Sequence, residues 1–437
     1  MSFRTKLALV ILSATVALYA VVGGLISTRA QHSANDPGAQ LRIFESVLQH
    51  IQNDYVDEPN MDKVRAGALR GLAYGLDPYS TYLTPEQVRD FGASGKNNQT
   101  AGIGAELSQY ASYLYVISPV KGSPAERAGL RAGDVIEYID NKATRDISLY
   151  DARQLLNGAS GSEVKLRVLR AGSRPLTLAV KREALKIPPV EARMEAGKIA
   201  VLRINSLAEG EAADVRARLQ EMQKQNVQKV VLDLRGVAGG SLSEAVSVAN
   251  LFIKEGVLAQ TVGREGKTIK SFSAEEKNAI FHGPVAALID IGTAGAAEVV
   301  ASALLERKRG EVIGEKSFGA GAEQQLFTLR DGDGLLLTTV KWASASGTPF
   351  LGADRATSGV KPSMEVKRPE IVEAIDPEDL TGNDDDAVVQ PNNQQPNNDK
   401  REVSPEATSP KQQPEDVQLK KALELLREQP AASKRGA

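Results

Sequence analysis

The feature that most constrains this chain is an ordered string of glycines and short apolar runs between residues 102 and 136. It opens with Gly102-Ile103-Gly104-Ala105 and continues through strand-like runs at Ala105–Leu107 and Leu114–Ile117. Ser123-Pro124-Ala125-Glu126-Arg127-Ala128-Gly129-Leu130 and Gly133-Asp134-Val135-Ile136 follow. Each piece has a mechanical reading. Glycines at 102 and 104 let a ligand approach the backbone, and successive N–H groups of a small-residue loop form a nest for an anion. Ser123 is placed to cap a short helix with Pro124 at its first position, and Gly129 to end it. An edge strand after the nest would accept an extended peptide, with the terminal carboxylate held over Gly102, Ile103, Gly104 and Ala105. A helix at Leu149–Leu156 and a strand at Val164–Val168 complete the segment. A small β domain without a ligand is the alternative reading.

Composition narrows the chemistry. The 53 Lys and Arg are balanced by 55 Asp and Glu, which excludes a generally basic nucleic-acid binder. The absence of Cys excludes thiol nucleophiles, disulfides, zinc fingers and iron–sulfur ligation. His32, His50 and His282 lie far apart in no metal-binding spacing, so neither metal nor cofactor is expected.

At the N-terminus, Arg4 and Lys6 precede an uncharged, mostly apolar run, Leu7–Ile26. As a helix it would span roughly 30 Å, the thickness of a bilayer core. Residues 1–29 therefore read as a signal-anchor, with the bulk of the chain outside the cytoplasm in a periplasmic or other extracytoplasmic space. Secretion after cleavage is the alternative, although Thr28-Arg29-Ala30 is a poor cleavage site.

The remainder reads as an α/β and α+β multidomain chain. An N-terminal helical region covers 40–98, with helices at Leu41–Tyr55 and Met61–Tyr74 and a third opened by Thr84-Pro85-Glu86-Gln87. The β segment covers 99–184. From 185 to 370, buried-type runs at Val230–Leu234 and Val285–Ile289 alternate with helical stretches at Ala212–Gln225, Ser241–Phe252 and Ala296–Glu306. Residues 371–437 are rich in Asp, Asn, Gln and Pro and read as a disordered tail. Its one amphipathic helix, 414–428, suggests a homo-oligomer contact.

These motifs carry a resemblance. The string from Gly102 to Val168 resembles a PDZ domain. Asp77-Pro78-Tyr79-Ser80-Thr81-Tyr82, Asp233-Leu234-Arg235 with Gly239-Gly240, Ser317-Phe318-Gly319 with Gly321 and Gln324, and Gly347-Thr348-Pro349 come in one order around it. Together they resemble the carboxyl-terminal processing peptidases, or tail-specific proteases, over roughly residues 40–370. The resemblance implies a metal-free serine endopeptidase with a Ser-Lys dyad. The family's nucleophile, in a Ser-Ala-Ser-Glu segment, falls on Gly295 of Gly295-Ala296-Ala297-Glu298. Its base, in a Phe-Gly-Lys-Gly loop, falls on Ala320, and its orienting Gln on Gln324. Gly239 and Gly240 match the glycines of the oxyanion loop, but Val237-Ala238 stands where Asn-Pro is expected.

Gly295 and Ala320 supply neither nucleophile nor base, and a Ser hydroxyl near pH 7 attacks only when a base removes its proton. Lys316 beside Ser317 reads as a surface charge, and Ser344 and Ser346 near Lys341 as a solvated strand end. Glu298 is favoured at a helix start by the dipole alone. The expectation is an envelope-anchored, inactive homologue that binds protein or peptide C-termini or regulates proteolysis, with an active paralogous protease as a further partner. A working endopeptidase with non-standard residues and a scaffold with an empty groove are the alternatives.

Overall fold

The computed structural model describes residues 37–94, 101–110, 112–368 and 415–429, with Ser13 and Thr15. Apart from those two residues the expected anchor lies outside the described residues, as do 369–414 and 430–437. Among the described residues no helix is long and apolar enough to cross a membrane.

Residues up to Leu69 and those from Arg70 onward form two compact units. The first holds α1 (Pro37–Asp54), and α2 (Met61–Tyr74) crosses the boundary. In the second, a short strand, β1 (Thr81–Leu83), precedes α3 (Pro85–Ser94). The start of α3 is a reciprocal cap: the Thr84 N–H donates to Gln87 Oε1 at 3.0 Å, and the Gln87 N–H to Thr84 Oγ1 at 3.4 Å.

The glycine string folds as read. β2 (Ala105–Tyr110) and β3 (Tyr113–Pro119) form a hairpin, followed by α4 (Pro124–Arg127), β4 (Val135–Ile139), β5 (Lys142–Ala143) and α5 (Leu149–Leu156). β6 (Glu163–Leu169) and β7 (Leu176–Lys181) close a sheet of order β2-β3-β4-β6-β7, with β5 paired to β4. The Glu126 N–H donates to the Ser123 hydroxyl at 3.2 Å, and Gly129 takes a φ of +87° beyond the helix end. Leu107, Val116, Ile136 and Leu166 meet Leu149 and Leu156 of α5 in a separate apolar core.

The α/β core runs β8 (Glu191–Glu195), β9 (Ile199–Arg203), α6 (Glu211–Lys224), β10 (Lys229–Asp233), α7 (Leu242–Asn250), β11 (Val257–Val262), β12 (Thr268–Ser273), β13 (Val285–Ile289) and α8 (Ala296–Glu306). β14 (Gly310–Gly314), β15 (Ala322–Thr328), β16 (Gly334–Ala343), β17 (Met364–Glu365) and α9 (Val417–Glu428) follow. The main sheet has the order β17-β14-β13-β10-β9-β8, parallel from β17 to β9. Alternate residues of its strands serve opposite faces. Leu202, Val230, Leu232 and Ala287 pack with residues of α6, α7 and α8, while Val201, Val231, Leu288 and Ile313 pack with α9. A second, antiparallel sheet joins β1, β16, β11 and β12, with β15 also on β16. The sequence reading did not resolve that sheet.

The tail helix corrects one expectation. Ala422 and Leu426 of α9 are fully buried against this chain's own sheet, and Lys229 Nζ donates to the Leu426 and Gln429 carbonyls. Each such apolar side chain contributes at most about 1.5–3 kcal/mol. The face that suggested an oligomer contact is therefore already occupied.

Candidate active site and peptide groove

The mapped nucleophile position stands where β13 turns sharply into α8. Asp290 Oδ1 accepts the N–H groups of Gly236 at 2.8 Å and Gly292 at 3.0 Å, so this turn is tied to the loop after β10. Gly295 then adopts φ +57° and ψ −112° as the N-cap of α8. A Cβ on it would lie 3.4 Å from the Ala238 carbonyl oxygen and 3.8 Å from Trp342 Cζ3, which is ordinary contact. A sharp strand-to-helix turn of the kind that presents a nucleophile is thus formed at Gly295, with space for a Cβ but a φ that strains any L side chain.

Gly295 and Ala320 converge on one buried carboxylate. Glu298 Oε2 accepts the N–H of Gly295 at 2.8 Å and of Ala320 at 2.9 Å. Its Oε1 accepts the Gly319 N–H at 2.7 Å and the Ser317 hydroxyl at 2.5 Å. Burial pushes the Glu298 carboxyl up to about 7, against the pull of those four donors. Beyond the helix-dipole role read for it, Glu298 is the clamp between the 317–320 loop and the start of α8. Because the clamp's donors are mostly backbone N–H groups, no residue type announces it.

The base position itself is apolar. Ala320 packs with Ile117, Ala294 and Phe318, whose ring stacks on Tyr115 with centroids 5.4 Å apart. Lys316, read as a surface charge, donates to the Arg355 and Ala356 carbonyls at 3.1 and 2.6 Å, and burial lowers its pKa. Ser317 is fully buried and also accepts the Val360 N–H at 2.6 Å, so its hydroxyl is structural. Ser344, expected at a solvated strand end, is buried and lies 2.9 Å from the Ser346 hydroxyl.

The loop mapped to the oxyanion site holds Gly239 and Gly240 but turns a carbonyl toward Gly295. Gly240 takes φ +126°, and a Cβ there would come within 2.5 Å of the Leu207 carbonyl, so only glycine fits. The atom of this loop nearest the Cβ position of Gly295 is the Ala238 carbonyl oxygen, an acceptor where an oxyanion needs donors. A Cβ on Gly239 would be 3.0 Å from Glu106 Oε1 of β2, which places the PDZ-like sheet directly against the loop. Burial raises the Glu106 carboxyl above its ordinary range.

Gln324 is turned elsewhere: its Nε2 donates to Thr338 Oγ1 at 3.3 Å. Thr338 donates in turn to Asp77 Oδ1 at 3.0 Å, and Asp77 also accepts the N–H groups of Tyr79 and Ser80 at 2.8 and 2.9 Å. Tyr79 packs on the PDZ-like core and hydrogen-bonds Ser108 of β2. The Asp77–Ser80 motif therefore joins the Gln324 strand to the PDZ-like edge.

The peptide-groove residues form one loop. Gly102 exchanges backbone hydrogen bonds with Glu183 at 3.0 Å, Ile103 accepts the Ala125 N–H at 2.8 Å, and Gly104 accepts the Val120 N–H at 2.9 Å. Gly104 is left-handed at φ +74°, and Ala105 opens β2, which is an edge strand. A Cβ on Gly104 would lie 2.5 Å from both Leu185 Cδ2 and Ser123 Cβ. Among the described residues no group of His, Cys, Asp or Glu is arranged to hold a metal ion.

Comparison with known proteins agrees with this architecture. The profile of peptidase family S41 matches residues 198–366, and that of the PDZ domain matches 115–170, starting after the Gly102–Ala105 loop. The carboxy-terminal processing protease CtpA of Bacillus subtilis (strain 168) is 31% identical over 365 residues, 83% of this chain and 77% of that protein. The carboxy-terminal-processing protease of Bartonella bacilliformis is 32% identical over 393 residues, covering 89% and 88% respectively. Among solved structures, the photosystem II D1 C-terminal processing protease superposes with a TM-score of 0.62 at 28% identity, over 74% of this chain and 86% of that one.

Proposed function

The chain belongs to the carboxy-terminal processing peptidases of family S41, and we propose that it is a non-catalytic member that binds protein C-termini and regulates proteolysis at the cell envelope. One observation carries the reading. The two positions to which the motifs map nucleophile and base carry a hydrogen and a methyl group, and Glu298 ties their backbones together. Nucleophile and base act as a unit, and loss of the nucleophile alone costs on the order of 10⁶ in kcat. The sealed Ser317–Glu298 pair offers no substitute, since a fully buried hydroxyl cannot meet a substrate.

Binding of C-termini is supported by the left-handed Gly104 in the loop before the edge strand β2, a geometry suited to a carboxylate followed by strand addition. Anchoring through residues 1–29 is supported by the uncharged run Leu7–Ile26 after Arg4 and Lys6. Peptides ending in an apolar residue with a free carboxylate should bind the full chain, and amidation should remove most of the affinity. Equal binding of free-acid and amidated peptides in fluorescence polarisation would refute the groove and leave a scaffold.

A further inference from the structure

We infer that the cleft between the PDZ domain and the carboxyl ends of the core strands is a second binding site, one that takes an acidic peptide segment. The cleft encloses about 600 Å³, within the roughly 300–1,000 Å³ usual for ligand sites. It opens among the loop between α4 and β4, the β6–β7 turn, and the ends of β9, β10 and β13. Open α/β sheets place ligands at that edge. None of Gly102, Gly104, Gly239, Gly240, Gly295 or Ala320 is among its lining residues, although Gly236 and Asp290, which tie the turn before Gly295, are.

Its chemistry is specific. Cationic side chains in the lining outnumber carboxylates, and three guanidinium groups are fixed in place by structural partners. Arg170 holds Asp134 through Nε and Nη2 at 2.7 and 2.8 Å. Arg203 holds Asp233 through Nη1 at 2.7 Å. Arg368 holds Glu315 through Nε at 2.9 Å and Asp290 through Nη1 at 3.1 Å. A guanidinium has five N–H donors, so each retains some for a ligand. Arg368 Nη2 is buried without any partner. Arg131 stands exposed in the lining with no ion pair among the described residues.

Asn205 supplies the second, independent requirement. It is only 7% exposed, and its Nδ2 donates to the Pro189 carbonyl at 3.1 Å. Its Oδ1, in a residue that lines the cleft, is buried with no hydrogen-bond partner. A simple anion would satisfy the spare guanidinium donors and leave this oxygen unmet. A ligand bearing both main-chain N–H groups and carboxylates satisfies both, which is the description of an acidic peptide. Such a peptide would touch the PDZ domain and the core together and so brace them.

The test uses the full chain and a fluorescent, N-acetylated, C-amidated hexapeptide rich in Asp, which has no free C-terminus for the groove. Saturable binding is expected, weakening several-fold as salt rises from about 0.05 to about 0.5 M. The Asn-for-Asp analogue should bind at least about tenfold more weakly. Arg131→Glu and Ser173→Trp, both at exposed lining positions in no ion pair among the described residues, should each cost about tenfold in affinity. Residues 370–386 of this chain carry only acidic charges, and neutralising them in the full chain separates two sources of ligand. Tighter peptide binding would identify this chain as the supplier, and unchanged binding a partner protein. Equal affinity for the Asp and Asn peptides, or indifference to both substitutions, overturns the site.

Discussion

Ala320 donates its backbone N–H to Glu298 Oε2 at 2.9 Å, tying the 317–320 loop to a carboxylate on the helix whose N-cap is Gly295. On the proposed reading, this carboxylate joins the two positions of a Ser-Lys dyad that lack its reactive side chains.

Glu298→Ala should destabilise the protein by at least about 3 kcal/mol, because it strands several buried donors that have no water to turn to. Denaturant midpoints at constant m-value measure this. A loss under about 1 kcal/mol would mean that the 317–320 loop is held by something else.

The same carboxyl sets a pH dependence. Its folded-state pKa is raised from an ordinary 4.5 to about 7, so the folded state binds the proton more tightly than the unfolded chain. This group's contribution is then fully present below about 4.5 and lost as pH rises through about 7. Wild-type stability relative to Glu298→Gln should fall between pH 5 and 8. A difference that stays flat, or grows, across that range contradicts the assignment.

Leu426→Ala should cost about 2–4 kcal/mol in the docking of α9, since the side chain is fully buried against the sheet. Hydrogen exchange read by mass spectrometry should show faster exchange over Val417–Glu428. Unchanged protection there would mean that the helix is held by Lys229 and Arg235 rather than by its apolar face.

What was legible in the sequence was local. Thr84 with Gln87, and Ser123 with Glu126 behind Pro124, fix helix starts through neighbours three residues away, and both caps form. The α9 amphipathicity was equally plain, but the surface it covers lies on strands about 100 or more residues earlier, among them β10, β13 and β14. The second sheet was hidden for the same reason: Thr81 pairs with Leu336, and no short-range pattern encodes such a partner. At the site, the motif order pointed to Gly295 and Ala320, but the Glu298 clamp between them is built mostly on backbone N–H groups that every residue carries. Lys316 is a partly exposed charge as read, but its two carbonyl partners in the 355–356 loop were not legible in a short-range pattern.

Gly295→Ser with Ala320→Lys should recover measurable cleavage of unstructured peptides, and either change alone almost none. The serine would adopt φ near +57°, a strain of about 1–3 kcal/mol that the tied Asp290 turn can hold. A lysine replacing Ala320 would enter an apolar cluster with Phe318 and Tyr115, where desolvation lowers its pKa toward that of a base. Adding Asn-Pro at Val237-Ala238 should raise the activity further if it turns the Ala238 carbonyl away. A single mutant as active as the double would show that the two positions are not partners.

The most direct measurement is turnover by the unmodified full chain, using fluorogenic unstructured peptides with apolar free C-termini and a serine-directed phosphonate probe in parallel. The expected result is hydrolysis indistinguishable from buffer and no labelled serine, because neither Gly295 nor Ala320 carries a group that can attack or accept a proton. Robust hydrolysis abolished by the probe, with a labelled serine, would contradict the reading and place a working nucleophile elsewhere in the chain.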